Sequence, residues 1–226
     1  KSRIPIVLGG IEASLRRVTH YDYWDDRLRA PILFDSKADY LLYGMAESSI
    51  LELAASLKSQ CSPLSIRGLC YLSHQIPSGY LEIPSFEEVT ANKAAFIHMF
   101  HLFYQNNDPI RAVGLAQRKG DRWLIQNPPA LPPSQSELDH IYALDFQRAQ
   151  HPYYEQQGAV KTLETTRFSI PTHRGCYGEC NFCAIAVHEG RTVTSRSVES
   201  ILAEARRITS HPEFKGIIPD LSGPTA

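Results

Sequence analysis

The chain has 226 residues, 43% of them hydrophobic, and its 23 lysines and arginines nearly balance its 24 aspartates and glutamates. This length and composition allow a buried core in one large domain or two small ones. The near-neutral charge disfavours a broad nucleic-acid-binding surface. No apolar run approaches the about 20 residues that a membrane helix requires. Nucleic-acid and membrane partners are therefore not expected.

The first 126 residues predict an N-terminal α/β domain. Apolar runs at 4–8 and 38–44 predict buried parallel strands that end at glycine. Apolar residues from Ile50 to Leu57 follow at the i, i+3, i+4, i+7 spacing of an amphipathic helix. This alternation of strand, glycine and helix is typical of a doubly wound α/β domain.

The same domain is predicted to continue with a strand, one long helix and a hairpin. The strand covers 66–72, and Ser85 followed by Glu88 forms a capping box that opens the helix. Two runs at 112–117 and 122–126 flank a Lys-Gly-Asp turn, which is typical of a hairpin.

The composition changes at 127–133, where four of seven residues are prolines that cannot lie in a helix interior or a central strand. We therefore predict a proline-rich connector over 127–166, with a short helix at about 136–144. A strand at 165–171, a cysteine loop, a helix and a second strand at 214–220 complete the chain. This βαβ crossover places the cysteine loop at the carboxyl end of a strand, where α/β folds have their active sites.

The helix of this crossover has two sequence signals. Ser197 is a suitable N-cap, and an apolar face runs from Val198 through Leu202 to Ile208. Nearby histidines and arginines, from His173 to Arg196, add positive charge around the cysteine loop. These side chains could neutralise a bound cluster or substrate, or they could be solvated.

Three of the five cysteines, Cys176, Cys180 and Cys183, form a C-x3-C-x2-C run. The odd number and the clustering favour a reducing compartment, and we expect a cytoplasmic protein. Thiolates suit iron–sulfur clusters, and three of them leave one iron of a 4Fe–4S cluster open for chemistry. The alternatives are a zinc site completed by His188 and an ordinary ferredoxin, which would want a fourth cysteine close by. We interpret the other two, Cys61 and Cys70, as buried hydrophobic residues.

The cysteine spacing, with Phe182 as an aromatic residue before the last cysteine, resembles the signature of radical S-adenosylmethionine (radical SAM) enzymes. Longer segments resemble the YgiQ family of radical SAM proteins over nearly the whole chain. The segments that carry this resemblance are 9–17, 20–24, 35–39, 127–129, 173–176, 182–185 and 216–226.

The resemblance implies that the three cysteines bind a 4Fe–4S cluster whose open iron chelates S-adenosylmethionine. A one-electron reductant, flavodoxin- or ferredoxin-like, would then drive cleavage to a 5′-deoxyadenosyl radical that abstracts hydrogen from an unknown substrate. Phe182 matches the aromatic position near the adenine. The alternatives are a radical SAM methyl- or methylthiotransferase and, in another class, a non-catalytic zinc or structural iron–sulfur module.

The run Ser222, Gly223 and Pro224 matches the glycine-rich stretch that receives the amino group of S-adenosylmethionine in the family. This chain departs from the family there, because the family generally has two glycines where this chain has Ser222 and Gly223. A serine can still offer its backbone carbonyl, but a positive φ is costly for it.

The resemblance also implies a domain order. Residues 1–126 would form a domain distantly like cobalamin-binding domains, 127–166 a connector, and 167–226 the first β/α unit of a partial TIM-like radical SAM barrel. Cobalamin itself is not expected, because the chain has no D-x-H-x-x-G run. A full barrel takes about 250 residues, so we expect a piece of a longer protein that is inactive alone.

Overall fold

A computed structural model describes residues 4–223, and the chain divides into two compact units. The first unit contains the described residues up to Pro132 together with Glu179–Arg191. The second unit contains Pro133–Gly178 and the described residues from Thr192 onward. The predicted domain boundaries concern family domains rather than packing units, and they stay a prediction. Over the described range, no helix is both long and apolar enough to cross a membrane.

Strands and helices are interspersed through the first unit, so the predicted α/β class is confirmed. Its strands are β1 (Val7–Leu8), β2 (His20–Asp22), β3 (Arg27–Arg29), β4 (Tyr40–Leu42), β5 (Leu69–Ser73), β6 (Leu81–Ile83), β7 (Leu115–Lys119) and β8 (Arg122–Gln126). Its helices up to Pro132 are α1 (Gly10–Leu15), α2 (Ile32–Ser36), α3 (Glu47–Lys58), α4 (Phe86–Ala91) and α5 (Lys93–Gln105).

Six of these strands form one mixed sheet in the order β1-β4-β5-β8-β7-β6. The pairs at its two edges, β1 with β4 and β6 with β7, are parallel, and the three pairs between them are antiparallel. The predicted hairpin is β7 and β8, with Lys119 paired to Arg122 beside the turn. Strands β2 and β3 pair separately.

The core of the first unit lies on both faces of this sheet. Adjacent residues Leu41 and Leu42 of β4 belong to two different buried clusters, and so do Leu124 and Ile125 of β8. Successive side chains of a strand point to opposite faces, so both faces are covered. This burial accounts for the apolar composition of the central strands.

Two predicted helices form with a different register or length. In α3 the buried residues include Leu53, but Ile50 of the predicted apolar face is 43% exposed. The predicted long helix is two helices, because Asn92 adopts an extended conformation and its side chain accepts a hydrogen bond from the amide of Ala94. The capping box at the start of α4 is confirmed, with Ser85 and Glu88 bonded reciprocally.

The described part of the second unit contains three α-helices and four short strands, where two longer strands were predicted. Its elements are α6 (Gln135–Ala143), a 3₁₀ helix (Pro152–Gln157), α7 (Leu163–Thr166), β9 (Ile170–Pro171), β10 (His173–Arg174), β11 (Thr194–Ser195), α9 (Val198–Thr209) and β12 (Leu221–Ser222). Helix α8 (Ile185–Glu189) belongs to the first unit.

The βαβ crossover is present, although both of its strands are shorter than predicted. Strands β9 and β12 are parallel, with Ile170 opposite Leu221. The predicted strand at 165–171 begins only at Ile170, since α7 occupies the residues before it. The predicted strand at 214–220 is wrong: Gly216 has a φ of 87°, and Phe214 turns its ring against Phe168.

Helix α9 buries a charged residue on its inner face. Ser197 caps the helix as predicted, and its side chain accepts from the amide of Ser200. Within α9, Leu202 is 49% exposed whereas Glu204 is only 2% exposed. The predicted apolar face is therefore partly wrong, because an ion pair between Glu204 and Arg196 takes the inner position.

Candidate functional site

The two ends of the cysteine loop are held together in the second unit. Strands β10 and β11 pair antiparallel, with Arg174 opposite Thr194. Gly175 follows β10 with a φ of 86°, and a Cβ atom there would collide with the backbone of Thr192. Glycine is thus required by both the backbone angle and the close approach. This geometry determines where the chain enters the cysteine run.

The three cysteines of the run differ in exposure. Cys176 is buried and belongs to the second unit, whereas Cys180 is exposed and Cys183 half-buried in the first unit. The amide of Cys183 donates to the carbonyl of Cys180 at 3.0 Å, which closes a turn between them. None of the three cysteines is in a disulfide.

No set of three or more His, Cys, Asp or Glu side chains that could hold a metal ion occurs in the described range 4–223. The assignment of the three cysteines as cluster ligands therefore stays a prediction. Of the two other cysteines, Cys70 is fully buried as predicted, whereas Cys61 is exposed, contrary to the prediction. Burial raises the pKa of the Cys70 thiol to about 12.

Phe182 lies inside the turn between Cys180 and Cys183, and its side chain is 93% exposed. It borders a cavity of about 330 Å³ in the first unit, together with Cys183 and aromatic residues of α5. The predicted contact with an adenine ring stays a prediction.

The predicted glycine-rich stretch follows β12 in the second unit. Ser222 pairs with Pro171 of β9. Gly223 lies directly against the imidazole of His173, so that a Cβ atom at this position would collide with the ring. Gly223 therefore admits no larger residue unless His173 moves. Pro224 lies outside the described residues.

A buried arginine, which the sequence patterns do not reveal, organises the first unit. Arg17 is fully buried, and its Nε and Nη2 atoms donate to the side-chain oxygens of Gln126 and Asn107, each at 2.9 Å. Its guanidinium carbon lies 4.2 Å from the ring centre of Tyr43 and 4.4 Å from that of Phe103. Burial lowers the pKa of Arg17.

The segment after the cysteine turn is anchored to this network. Asn107 donates through Nδ2 to the carbonyl of Val187 in α8, at 3.3 Å. His188 of the same helix lies 2.9 Å, through Nδ1, from the hydroxyl of Ser14 in α1. Ser14 also accepts from the amide of Gly44 and donates to the carbonyl of Gly10. Hence α1 and the segment that follows α5 position α8 after Cys183.

Two of the basic residues around the loop have carboxylate partners. In the first unit, Arg191 lies 3.0 Å from Glu179 and over the ring of Tyr104 at 4.3 Å. In the second unit, Arg196 is 4% exposed and pairs with Glu204. The alternative of simple solvation is therefore wrong for Arg196.

Sequence comparison finds related proteins and one matching family model. The model described as Radical SAM N-terminal matches residues 1–169, which end before the cysteine loop. A UPF0313 protein of Fusobacterium nucleatum is 56% identical over 221 residues, which are 98% of this chain and 39% of that protein. A UPF0313 protein of Clostridium botulinum is 47% identical over 227 residues, or 98% of this chain and 35% of that protein. The chain thus spans well under half the length of these relatives.

Structure comparison finds a radical S-adenosylmethionine methyltransferase, TsrM from Kitasatospora setae. The structure with tryptophan substrate and a SAM analogue bound is 17% identical, with a TM-score of 0.47, over 97% of this chain and 30% of that chain. The structure with cobalamin and a [4Fe-4S] cluster bound has a TM-score of 0.47 at 16% identity, over 98% of this chain and 30% of that chain. The expectation that this chain does not bind cobalamin stays a prediction.

Proposed function

Because this chain belongs to the Radical SAM N-terminal family, we propose that it is the N-terminal part of a radical SAM enzyme that acts on a substrate of unassigned class. In this proposal Cys176, Cys180 and Cys183 bind a 4Fe–4S cluster, and the enzyme cleaves S-adenosylmethionine reductively. The observation that carries the proposal is the succession of a family match over residues 1–169 and a C-x3-C-x2-C run in which no cysteine is in a disulfide. A flavodoxin- or ferredoxin-like protein would supply the electron.

The chemistry of the donor set suits such a cluster. Iron–sulfur clusters are held by thiolates, and none of the three cysteines is consumed in a disulfide. The turn that Cys180 and Cys183 form keeps two thiols close along the chain. When bound, the cluster supplies the electron that cleaves S-adenosylmethionine to a 5′-deoxyadenosyl radical.

The roles of the chain itself are to bind, to orient and to exclude water. Phe182 offers an exposed ring face to the adenine. The backbone of Ser222 and Gly223 would receive the amino group of S-adenosylmethionine, with Gly223 beside His173. The anchoring of α8 to α1 keeps the cysteine turn in place as the ligand binds. A turn that is already held in place loses less conformational entropy when the ligand binds.

The proposal is tested by anaerobic reconstitution of the intact protein that carries this chain. We expect about four irons and four sulfides per chain, a brown chromophore, and 5′-deoxyadenosine formed from S-adenosylmethionine under reducing conditions. Cys180→Ala should lose the chromophore. Cys61→Ala is the matched control, because Cys61 is also exposed but lies outside the run, and it should retain both iron and activity.

Two results would contradict the proposal. One is zinc bound at one ion per chain without any effect of S-adenosylmethionine, which would indicate a structural metal module. The other is equal iron content in Cys180→Ala and Cys61→Ala, which would remove the cysteine run from the cluster site.

A further inference from the structure

The cavity beside the cysteine turn is built from three separate parts of the first unit. Residues 181–184 contribute the cysteine turn, Leu15 and residues 18–21 contribute the end of α1 and the start of β2, and Phe96, Phe100 and Phe103 come from α5. Its volume of about 330 Å³ lies in the range of small-molecule sites. The cavity is therefore large enough for one or two fused rings.

The walls of the cavity are mostly apolar, and the polar residues among them are Thr19, His20, Tyr21 and Asn181. Among the described residues that line it, none is Asp, Glu, Lys or Arg. Phe100 is stacked on Tyr104, with ring centres 5.8 Å apart and planes at 18°, so one aromatic wall is already ordered. Flat aromatic walls favour a planar apolar ligand. A charged ligand group would lose its hydration here without gaining a partner.

Among the polar residues that line the cavity, His20 has a ring whose hydrogen-bonding roles follow from its own contacts. Its Nδ1 lies 3.1 Å from the carbonyl oxygen of Val18, which can only accept, so Nδ1 carries the proton. Burial lowers the pKa of His20, and the ring is accordingly neutral at neutral pH. Its Nε2 is then an acceptor, and no residue in the described range 4–223 donates to it.

We propose that this cavity binds the substrate of the enzyme through an uncharged aromatic group that donates one hydrogen bond to Nε2 of His20. The proposal rests on the proposed function, since Cys183 in its wall is one of the three assigned cluster ligands. Phe182 is 93% exposed, so most of its ring remains outside this cavity for the adenine of S-adenosylmethionine. We therefore assign the cavity to the substrate, and the competition experiment below tests that assignment.

A matched pair of probes tests the hydrogen bond. We choose 2-naphthol, a neutral fused ring with one hydroxyl donor, and 2-methoxynaphthalene, which has the same ring but no donor. Each is titrated into the intact protein, and binding is followed by the fluorescence of the probe. His20→Phe should weaken 2-naphthol about fivefold and leave 2-methoxynaphthalene unchanged. Equal effects on both probes, or none, would overturn the role of His20.

A matched pair of variants tests the location. Leu15→Trp fills the cavity from the end of α1 and should weaken both probes at least about tenfold. Leu51→Trp adds the same bulk on α3, where Leu51 is 72% exposed and borders no part of the cavity, and it should bind both probes normally. Absence of saturable binding, or equal binding by the two variants, would overturn the proposal.

Competition separates this cavity from the S-adenosylmethionine site. S-adenosylhomocysteine should bind without displacing 2-naphthol, and displacement would overturn the assignment to substrate. The double variant Cys176→Ala with Cys180→Ala distinguishes the two proposals, since it should lose the cluster and still bind 2-naphthol. A protein with full iron content and no probe binding would refute the cavity alone, whereas probe binding without any cluster in the unaltered protein would refute the proposed function.

Discussion

Each of the two units buries an arginine, but the partners of the two side chains differ. In the first unit, Arg17 is surrounded by neutral groups: the side-chain oxygens of Gln126 and Asn107 and two aromatic rings. In the second unit, Arg196 pairs with the carboxylate of Glu204, which also bonds to Arg148. The charge of Arg17 is therefore stabilised by neutral dipoles, whereas the charge of Arg196 is balanced by a carboxylate.

This difference determines what each unit loses when a partner is removed. A carboxylate and a guanidinium buried together depend on each other, because either one left alone is a charge without compensation. The cost of burying Arg17 is instead offset by several weaker hydrogen bonds to neutral groups. The second unit therefore depends on one buried carboxylate that pairs with two arginines, and the first on a distributed network of neutral partners.

The largest effect is expected from Glu204→Gln, which strands Arg196. We expect the free energy of opening of α9, measured by amide hydrogen exchange in the intact protein, to fall by about 3 kcal/mol. Glu199→Gln on the exposed first turn of the same helix is the control and should change it by less than about 0.5 kcal/mol. Equal losses in the two variants would show that the buried pair is not the source of stability.

Arg17→Met should have a smaller effect, because it removes the buried charge together with its bonds. The side-chain oxygens of Gln126 and Asn107 lose their donors, and we expect a loss of about 2 kcal/mol in the opening free energy of β8. Arg16→Met is the control, since Arg16 forms only an exposed pair with Glu12. A loss above that of Glu204→Gln would reverse the comparison between the two units.

Thr19→Val should stabilise the first unit slightly. The Thr19 hydroxyl is buried, and no group in residues 4–223 is hydrogen-bonded to it. Replacement by a methyl group removes an unpaired polar atom, and we expect a gain of about 1 kcal/mol in denaturant unfolding. Thr90→Val serves as the control, because the exposed Thr90 hydroxyl donates to the carbonyl of Phe86 at 2.7 Å. Destabilisation by Thr19→Val would reveal a partner of the hydroxyl.

The smallest expected effect is a loss of stability of the first unit at acidic pH. Burial lowers the pKa of His20 below its ordinary 6.5, so the unfolded chain binds more protons than the folded one as the pH falls through that value. The first unit should therefore lose less than about 1 kcal/mol between pH 7 and pH 5, and His20→Phe should abolish this loss.

The second unit provides the acid control. Hydrogen bonds from the side chain and backbone of Ser197 lower the pKa of Asp139 below its ordinary 3.8. That contribution is present above 3.8 and is lost only at lower pH, so it is unchanged between pH 7 and pH 5. Hydrogen exchange at the two pH values separates the units, and an equal decline in both would contradict the assignment to His20.

Local signals in the sequence predict the elements whose causes lie within a few residues. The capping box of Ser85 and Glu88, the N-cap at Ser197 and the β7–β8 hairpin each depend on neighbours along the chain. Such signals did not predict which face of α3 is buried, because tertiary packing buries Ser49 and Leu53 and exposes Ile50. The break at Asn92 was missed because the apolar residues continue through it.

Contacts between distant residues explain the remaining misses. Arg17 is bonded to Gln126, 109 residues away, and the second of two consecutive arginines after a short helix gives no sign of burial. Glu204 reads as a surface residue until its pair with Arg196 is seen. The cysteine run was found from spacing alone, whereas the cavity beside it combines three separate segments. Only the family resemblance of 9–17 and 20–24 pointed to the region of Arg17 and His20.

The close approach of Gly175 to Thr192 has an entropic consequence for the cysteine run between them. Bringing the ends of a flexible loop together costs conformational entropy, and this cost is met here by the fold rather than by a ligand. Thiols carried on a loop that is already closed have a higher effective concentration toward one another than thiols on an open chain. If the run binds iron as proposed, its affinity would thus depend partly on Gly175, a residue that has no side chain to donate.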